Sequence, residues 1–147
     1  MYTTGDPACT CGRLRRAARI ASRIYDRHLA PIGLNVGQYS LLSAVARMGD
    51  SSISELAGDL EMERTTLTRN LSPLARSGYV IVGAGADRRS KSVTLAKPGK
   101  AILAEAKPLW RKAQEEIDEA LGGAAKKRLH DELDRSIGRL REAFAEA

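Results

Sequence analysis

The sequence predicts a mainly α-helical protein that carries one small β-hairpin. Apolar residues recur at steps of three and four over most of the 147 residues, which is the helical period. The pattern changes to β-rich runs at two places, 79–82 and 92–95. Aromatic residues make up only 4% of the chain, and its many Ala, Leu and Arg residues favour helix over an all-β sandwich. The length is that of one domain, so we expect a single domain over 1–147.

The first two helices have recognisable ends in the sequence. A helical period runs over 13–30, and Pro31-Ile32-Gly33 stops it. The recurring positions are Leu14, Ala17, Ala21, Ile24 and His28. Asn35 is predicted to cap a second helix over 36–48, because Gln38 stands three residues later, as a capping box requires.

A helix-turn-helix is predicted next. A short strand is expected at 51–53, and either Ser52 or Ser54 caps a third helix. After a brief turn, a fourth helix runs over about 63–77 and ends at Gly78. The spacing of these two helices is typical of a helix-turn-helix.

The remaining chain predicts a hairpin and two outer helices. The β-rich runs flank a charged, glycine-containing turn at 83–89, which predicts a hairpin, or wing. Pro98 suits the first turn of a fifth helix that ends at Gly122-Gly123. The apolar stripe of a sixth helix comprises Leu129, Leu133, Ile137, Leu140 and Phe144. Because a monomer would leave the apolar stripes of the outer helices in water, we expect a homodimer.

The fourth helix combines an apolar stripe with a cationic face. Leu71 and Leu74 lie within about 40° of Leu67 on a helical wheel, and the three leucines should face the core. The opposite face and its flanks carry Thr65, Arg69, Ser72, Arg76, Thr66 and Thr68. Such side chains can donate to phosphates or to base edges in a major groove. Pro73 is expected to kink this helix, which leaves 64–70 to reach the bases.

Positive charge is concentrated in the same region. The chain has a net charge of +6, and the segment 63–97 contributes +5 through seven basic and two acidic residues. Part of this charge lies at the hairpin tip, Asp87-Arg88-Arg89-Ser90-Lys91. A basic surface that follows a helix-turn-helix favours double-stranded DNA as the partner.

Four motifs resemble the MarR family of bacterial regulators and stand in that family's order. They are Gly33-Leu34-Asn35-Val36-Gly37-Gln38-Tyr39, Ile53-Ser54-Glu55-Leu56-Ala57, Arg64-Thr65-Thr66-Leu67-Thr68-Arg69-Asn70-Leu71 and Asp87-Arg88-Arg89-Ser90-Lys91. The resemblance extends from about Cys11 to Phe144. It implies a winged-helix DNA-binding lobe at about 36–96 and a helical dimerisation region formed by about 11–34 and 98–146.

The resemblance also implies which residues meet DNA. The fourth helix would enter the major groove, while Arg89 matches a wing-tip arginine and Asp87 the carboxylate that orients it. Arg64, Thr65, Thr66 and Arg69 match groove-facing positions of the family. Together with the rest of the cationic face and the hairpin tip, the candidate DNA-binding set comprises Arg64, Thr65, Thr66, Thr68, Arg69, Asn70, Ser72, Arg76, Asp87, Arg88, Arg89 and Lys91. The sequence departs from the family at Pro73 and at Ala96, where many relatives have a threonine that caps the fifth helix. The implied function is sequence-specific transcriptional regulation, as a repressor released by an oxidant or a small ligand.

The two cysteines resemble a feature of the family's organic-hydroperoxide-sensing branch. Cys11 matches the reactive cysteine of that branch and Tyr25 its hydroxyl partner, although Arg15 replaces a second tyrosine. A helix N-terminus with neighbouring arginines favours a thiolate, and Cys9 could resolve the oxidised product. Two alternatives stay open: a regulator released by a small aromatic ligand without thiol sensing, and a non-specific architectural DNA-binding protein.

Other functions lack support in the sequence. No apolar run is long enough to span a membrane and no signal core opens the chain, so we expect a cytoplasmic protein. The two cysteines and the isolated His28 and His130 do not form a metal-ligand pattern. No catalytic triad, phosphate loop or Cys-x-x-Cys motif occurs. We therefore expect neither a metal, nor a cofactor, nor an enzymatic activity.

Overall fold

The computed structural model describes residues 8–84 and 91–145 and shows a helical fold with one small sheet. Its elements are α1 (Thr10–Leu29), a 3₁₀ turn (Ala30–Ile32), α2 (Val36–Met48), β1 (Ser51–Ser52), α3 (Ile53–Asp59), α4 (Arg64–Arg76), β2 (Val80–Ala84), β3 (Lys91–Leu95), α5 (Lys97–Leu121) and α6 (Gly123–Ala143). The predicted fold class and the predicted order of elements are confirmed. None of the helices in these two ranges combines the length and the apolar character needed to cross a membrane.

The elements from α2 to β3 form a winged-helix lobe whose helix starts are capped. At the start of α2, the side chain of Asn35 accepts a hydrogen bond from the Gln38 N–H at 2.9 Å, within the predicted capping box. At the start of α3, Ser52 and Glu55 form a second capping box. Ser52, and not Ser54, is therefore the cap of this helix.

The three strands form an antiparallel sheet in the order β1-β3-β2. Ser51 of β1 and Val82 of β2 both pair with Val93, which is fully buried in the central strand. The hairpin strands extend further than the sequence predicts, because backbone pairing continues to Ala84 opposite Lys91.

Leucines from all the lobe helices fill one core together with valines. Its fully buried large side chains are Leu29, Leu42, Leu56, Leu67, Leu71, Leu74, Val45 and Val93. The three leucines predicted to line the inner side of α4 all belong to this set. Because they fix one side of α4 in the core, its opposite side must face solvent. The helix continues through Pro73 to Arg76, and the kink expected at Pro73 stays a prediction.

The helices α1, α5 and α6 form a second layer beside the lobe. α1 packs along α5, where the rings of Tyr25 and Tyr39 both stack on Trp110, with centroids 6.3 Å and 5.9 Å away. α6 follows a break at Gly122, which has a positive φ of 79°. α1 begins three residues earlier than the sequence predicts, because Cys9 acts as its N-cap.

Candidate nucleic-acid interface

The exposed side of α4 is an open groove of cationic and hydroxyl side chains. Its lining residues are Arg64, Thr65, Thr68, Arg69, Ser72, Pro73 and Arg76. Thr66, which is half-buried, and Asn70, which is exposed, lie outside this lining. The described residues that line the groove include no carboxylate. Six of the eight residues that the sequence places on the DNA-binding side of this helix are thus brought together on one accessible surface.

The groove is built from hydrogen-bond donors. Each guanidinium presents a planar fork that suits phosphate oxygens and the acceptor edge of guanine. The N-cap of α4, Glu63, makes no side-chain cap hydrogen bond. The first-turn amides of α4 therefore add further donors at the same end of the helix. This arrangement can bind the backbone and the base edges of a nucleic acid.

The wing is described only at its base. Lys91, at the start of β3, is exposed and lies opposite Ala84 in the hairpin. The predicted tip residues Asp87, Arg88 and Arg89 lie outside the described residues. Their roles therefore remain as the sequence predicts them.

Two ion pairs hold the turn between α3 and α4. Asp59 accepts hydrogen bonds from both terminal nitrogens of Arg47, at 2.6 and 3.4 Å. Glu61 accepts from Nε of Arg141, near the end of α6, at 2.6 Å. Sequence reasoning missed both pairs, because the partners are 12 and 80 residues apart and no local pattern joins them.

The two cysteines lie at the exposed start of α1. Sγ of Cys9 accepts a hydrogen bond from the Gly12 N–H at 3.2 Å and so caps the helix. Cys11 lies in the first turn, and both thiols are free and exposed. The structure therefore assigns the capping position to Cys9 and leaves Cys11 as an uncrowded thiol beside it.

Tyr25 lies far from Cys11 within the same chain. The two residues are 14 positions apart on one helix, which corresponds to about 21 Å of helical rise. The Tyr25 hydroxyl donates to Oε1 of Gln114 on α5, and burial raises its pKa, as do the nearby Asp118 and Tyr39. A contact between Cys11 and Tyr25 thus requires a second copy of the chain.

The histidines have ordinary surroundings. His28 lies 3.0 Å from a carboxylate oxygen of Glu116, which also pairs with Arg27, and His130 is exposed. Within residues 8–84 and 91–145, no group of three or more His, Cys, Asp or Glu side chains is placed to hold a metal ion. Neither histidine shows a ligand role in this part of the chain.

The outer helices expose large apolar side chains. These side chains are Leu14 and Ile20 of α1, Leu121 of α5, Leu129, Ile137 and Leu140 of α6, and Phe144 at the C-cap of α6. Four of the five residues predicted to form the stripe of α6 belong to this set, and Leu133 is half-buried. No residue of α6 is buried within the single chain. This surface is the apolar face that the sequence expects a second copy to cover.

Comparison with known proteins finds regulators of transcription. No family model matches the chain. The transcriptional regulator MosR of M. tuberculosis, solved in complex with DNA, is 42% identical; the match covers 92% of this chain and 97% of that one, with a TM-score of 0.81. A MarR mutant from E. coli, solved with operator DNA, is 23% identical over 85% of this chain and 91% of that one, with a TM-score of 0.78. An HTH-type transcriptional regulator of Bacillus subtilis, YwoH, is 29% identical over 71% of this chain and 77% of its own length.

Proposed function

The chain belongs to the MarR family of winged-helix transcriptional regulators, and we propose that it binds an inverted-repeat operator in double-stranded DNA as a homodimer. Its relatives are transcriptional regulators and not enzymes, as the sequence predicts. In this proposal α4 enters the major groove, Arg89 of the wing reaches the minor groove, and binding represses the adjacent promoter. An oxidant or a small ligand would release the repressor from DNA.

The observation that carries the proposal is the surface of α4. Its groove gathers Arg64, Arg69 and Arg76 with three hydroxyl side chains, and no described lining residue is acidic. An ordinary solvated helix surface would mix acids with bases, because pairs of opposite charge stabilise helices. A surface of guanidinium and hydroxyl donors without carboxylates is instead suited to phosphates and to the acceptor atoms of guanine and thymine. The buried leucines on the opposite side of α4 hold this surface outward.

The exposed apolar residues of the outer helices support the homodimer. Leu140 and Phe144 are 53% and 64% exposed in a single chain, and they continue the stripe that begins at Leu129. A second copy would remove this surface from water and would present two recognition helices to DNA. Two-fold symmetry then requires an inverted repeat with half-sites about 10 base pairs apart.

The experiment that tests the proposal is selection of duplexes from a random pool by the purified protein. We expect an inverted repeat, and we expect the selected duplex to bind at least about a thousandfold more tightly than random DNA, the lower end for specific regulators. Recovery of unrelated sequences, with equal affinity for random duplex, would instead support a non-specific architectural protein. The Arg69→Ala variant, run in parallel, reports whether α4 carries the preference.

A second proposal concerns release from DNA by oxidation of Cys11. Its support is that both thiols are exposed within one turn, and that Cys9, with extended backbone at φ −71° and ψ 106°, lies outside the helix proper. A hydroperoxide would oxidise the Cys11 thiolate to a sulfenic acid while it is itself reduced to an alcohol. The Cys9 thiol, or a thiol of another subunit, would then form a disulfide and release water. Engaging Cys9 removes its cap from α1, which belongs to the proposed dimer region.

The test of thiol sensing is operator affinity before and after mild hydroperoxide, and again after a reductant. Wild type should lose affinity reversibly, while Cys11→Ser should keep it. Cys9→Ser is the matched variant, because a serine hydroxyl can still cap α1 but cannot form a disulfide. If wild type keeps its affinity, or Cys11→Ser loses as much, release by a small aromatic ligand becomes the better proposal.

A further inference from the structure

The two helices of the helix-turn-helix end in the same way but with different residues. At the end of α4, Gly78 has a φ of 78°, and the Gly78 and Tyr79 amides donate back to Ala75 and Leu74. At the end of α3, Glu61 takes the equivalent left-handed position with a φ of 53°. The Glu61 and Met62 amides donate to Gly58 and Ala57 in the same pattern. This motif strongly favours glycine at the left-handed position.

Glu61 is therefore an unusual residue for its backbone. Among the described residues it is the one residue other than glycine with a positive φ. Non-glycine residues in this conformation carry strain, and such residues concentrate at functional positions. The positive φ of Glu61 therefore points to a role for its side chain, which glycine would lack.

The side chain of Glu61 contacts the far end of the molecule. Its Oε1 accepts from Nε of Arg141 at 2.6 Å, and Nη2 of the same arginine also contacts it. Beside it, a hydrogen bond from Arg47 holds the pKa of the Asp59 carboxyl below its ordinary value, and the charge of Arg141 adds to that effect. The turn before α4 is thus held between α2 and the end of α6.

Within a single chain, apolar packing does not replace this contact. An open depression separates the turn from the end of α6, and its lining includes Gly58, Ile137, Leu140 and Phe144. Both side chains of the Glu61–Arg141 pair are more than half exposed, so the pair contributes little to global stability. The effect of the pair is therefore local. It acts on the direction in which the chain leaves α3 and enters α4.

We propose that Glu61 and Arg141 are positioning residues for operator binding, because their contact couples the helix-turn-helix to α6. This inference rests on the proposed function. In a dimer formed through the outer helices, the contact sets the orientation of each recognition helix relative to the dimer axis. Glycine at position 61 would suit the backbone better but would remove this coupling.

The test uses Glu61→Gly, Arg141→Gln and the control Arg135→Gln. Arg135 lies on the same helix but pairs with Glu132 within α6, so the control removes an equal charge without touching the lobe. Glu61→Gly should melt at the wild-type temperature or above it, because glycine relieves the backbone strain. Both test variants should nevertheless bind the selected operator about threefold or more weakly. The double variant should lose no more operator affinity than either single variant does.

Simple electrostatics predicts a different result. Loss of the Glu61 carboxylate makes the protein more positive and should raise its affinity for DNA, whereas loss of the Arg141 cation should lower it. Equal losses of affinity in both variants would therefore show that the contact between the two residues, and not their charge, affects DNA binding. Opposite shifts, or wild-type affinity in both variants, would overturn the inference.

A readout in the free protein separates this inference from the proposed function. Hydrogen exchange of the backbone amides over 58–63 should speed up in Glu61→Gly and in Arg141→Gln, but not in Arg135→Gln. If wild type selects no operator, the proposed function fails, while this exchange pattern still reports on the coupling. Unchanged exchange in both test variants would overturn the coupling whatever the DNA result.

Discussion

Gly99 stands where the first turn of α5 meets the backbone of the lobe. An added Cβ would lie 2.0 Å from the carbonyl oxygen of Tyr79 and 2.9 Å from Cδ1 of Leu95. The same carbonyl accepts a hydrogen bond from the Ala96 N–H at 2.9 Å, so it cannot turn aside without losing that bond. Any side chain at position 99 must therefore move α5 away from the lobe.

Gly99→Ala should accordingly lower the free energy of unfolding by about 2 to 3 kcal/mol, as overpacking does in a closely packed interior. Urea denaturation measures this change. Gly58→Ala is the matched control, because Gly58 also lies in a helix but an added Cβ there meets nothing within 4 Å. The control should gain about 0.5 to 1 kcal/mol from helix propensity. A Gly99→Ala protein as stable as wild type would contradict the close approach of α5 to Tyr79.

Neither Gly99 nor Glu61 can be identified from the sequence, because the role of each depends on a partner elsewhere in the chain. Tyr79 lies on the lobe, and Arg141 lies 80 residues beyond Glu61. The buried and exposed sides of α4, in contrast, can be identified from the sequence, because they follow from a local helical period. Leu67 is buried and Arg69 exposed, as the sequence predicts. Local periodicity thus identifies the candidate DNA-binding surface but not the contacts that orient it.

At the scale of elements, helix boundaries are predictable where common capping residues mark them. Asn35 with Gln38 predicts the start of α2 correctly. For α3 the sequence predicts a serine cap at either Ser52 or Ser54, and Ser52 is the cap. The start of α1 is predicted too late because cysteine is not a common N-cap, yet the Cys9 thiol accepts the capping bond. The ends of the hairpin strands depend on backbone pairing and leave a weaker signal in the side chains.

The recognition helix and the wing should respond differently to loss of an arginine. Arg69→Ala should change the base preference at one operator position if the guanidinium meets a base, or weaken binding to all duplexes equally if it meets phosphate.

Arg89→Ala should weaken binding by at least about tenfold, because a wing arginine exploits the negative potential of a narrow minor groove. Asp87→Ala should have a smaller effect. Titration of each variant with selected and with random duplexes measures these effects. Wild-type affinity in both arginine variants would refute the proposed docking of α4 and the wing on DNA.

At the scale of the whole molecule, the outer helices have more apolar surface than one chain can cover. α1 and α5 pack together around Tyr25 and Trp110, but the first half of α1 stays exposed, including Leu14. α6 has no fully buried residue. A sequence pattern can indicate that such stripes need a partner, but it carries no geometry for the second copy. The lobe, by contrast, has a core that is buried within one chain, to which Leu29 of α1 and Ala106 of α5 also contribute.

The stripe of α6 should therefore control both the oligomeric state and DNA binding. Ile137→Glu places a carboxylate at a residue that is 47% exposed in the single chain, so the monomer should stay helical while dimerisation weakens. Ala124→Glu is the control, because it adds the same charge about 180° around α6 from the centre of the stripe. Sedimentation should show a dimer for wild type and for the control, and a concentration-dependent monomer for Ile137→Glu. Operator affinity should fall together with dimerisation, because a monomer contacts one half-site only. A wild-type protein that remains monomeric at every concentration would refute the homodimer, and with it the inverted repeat.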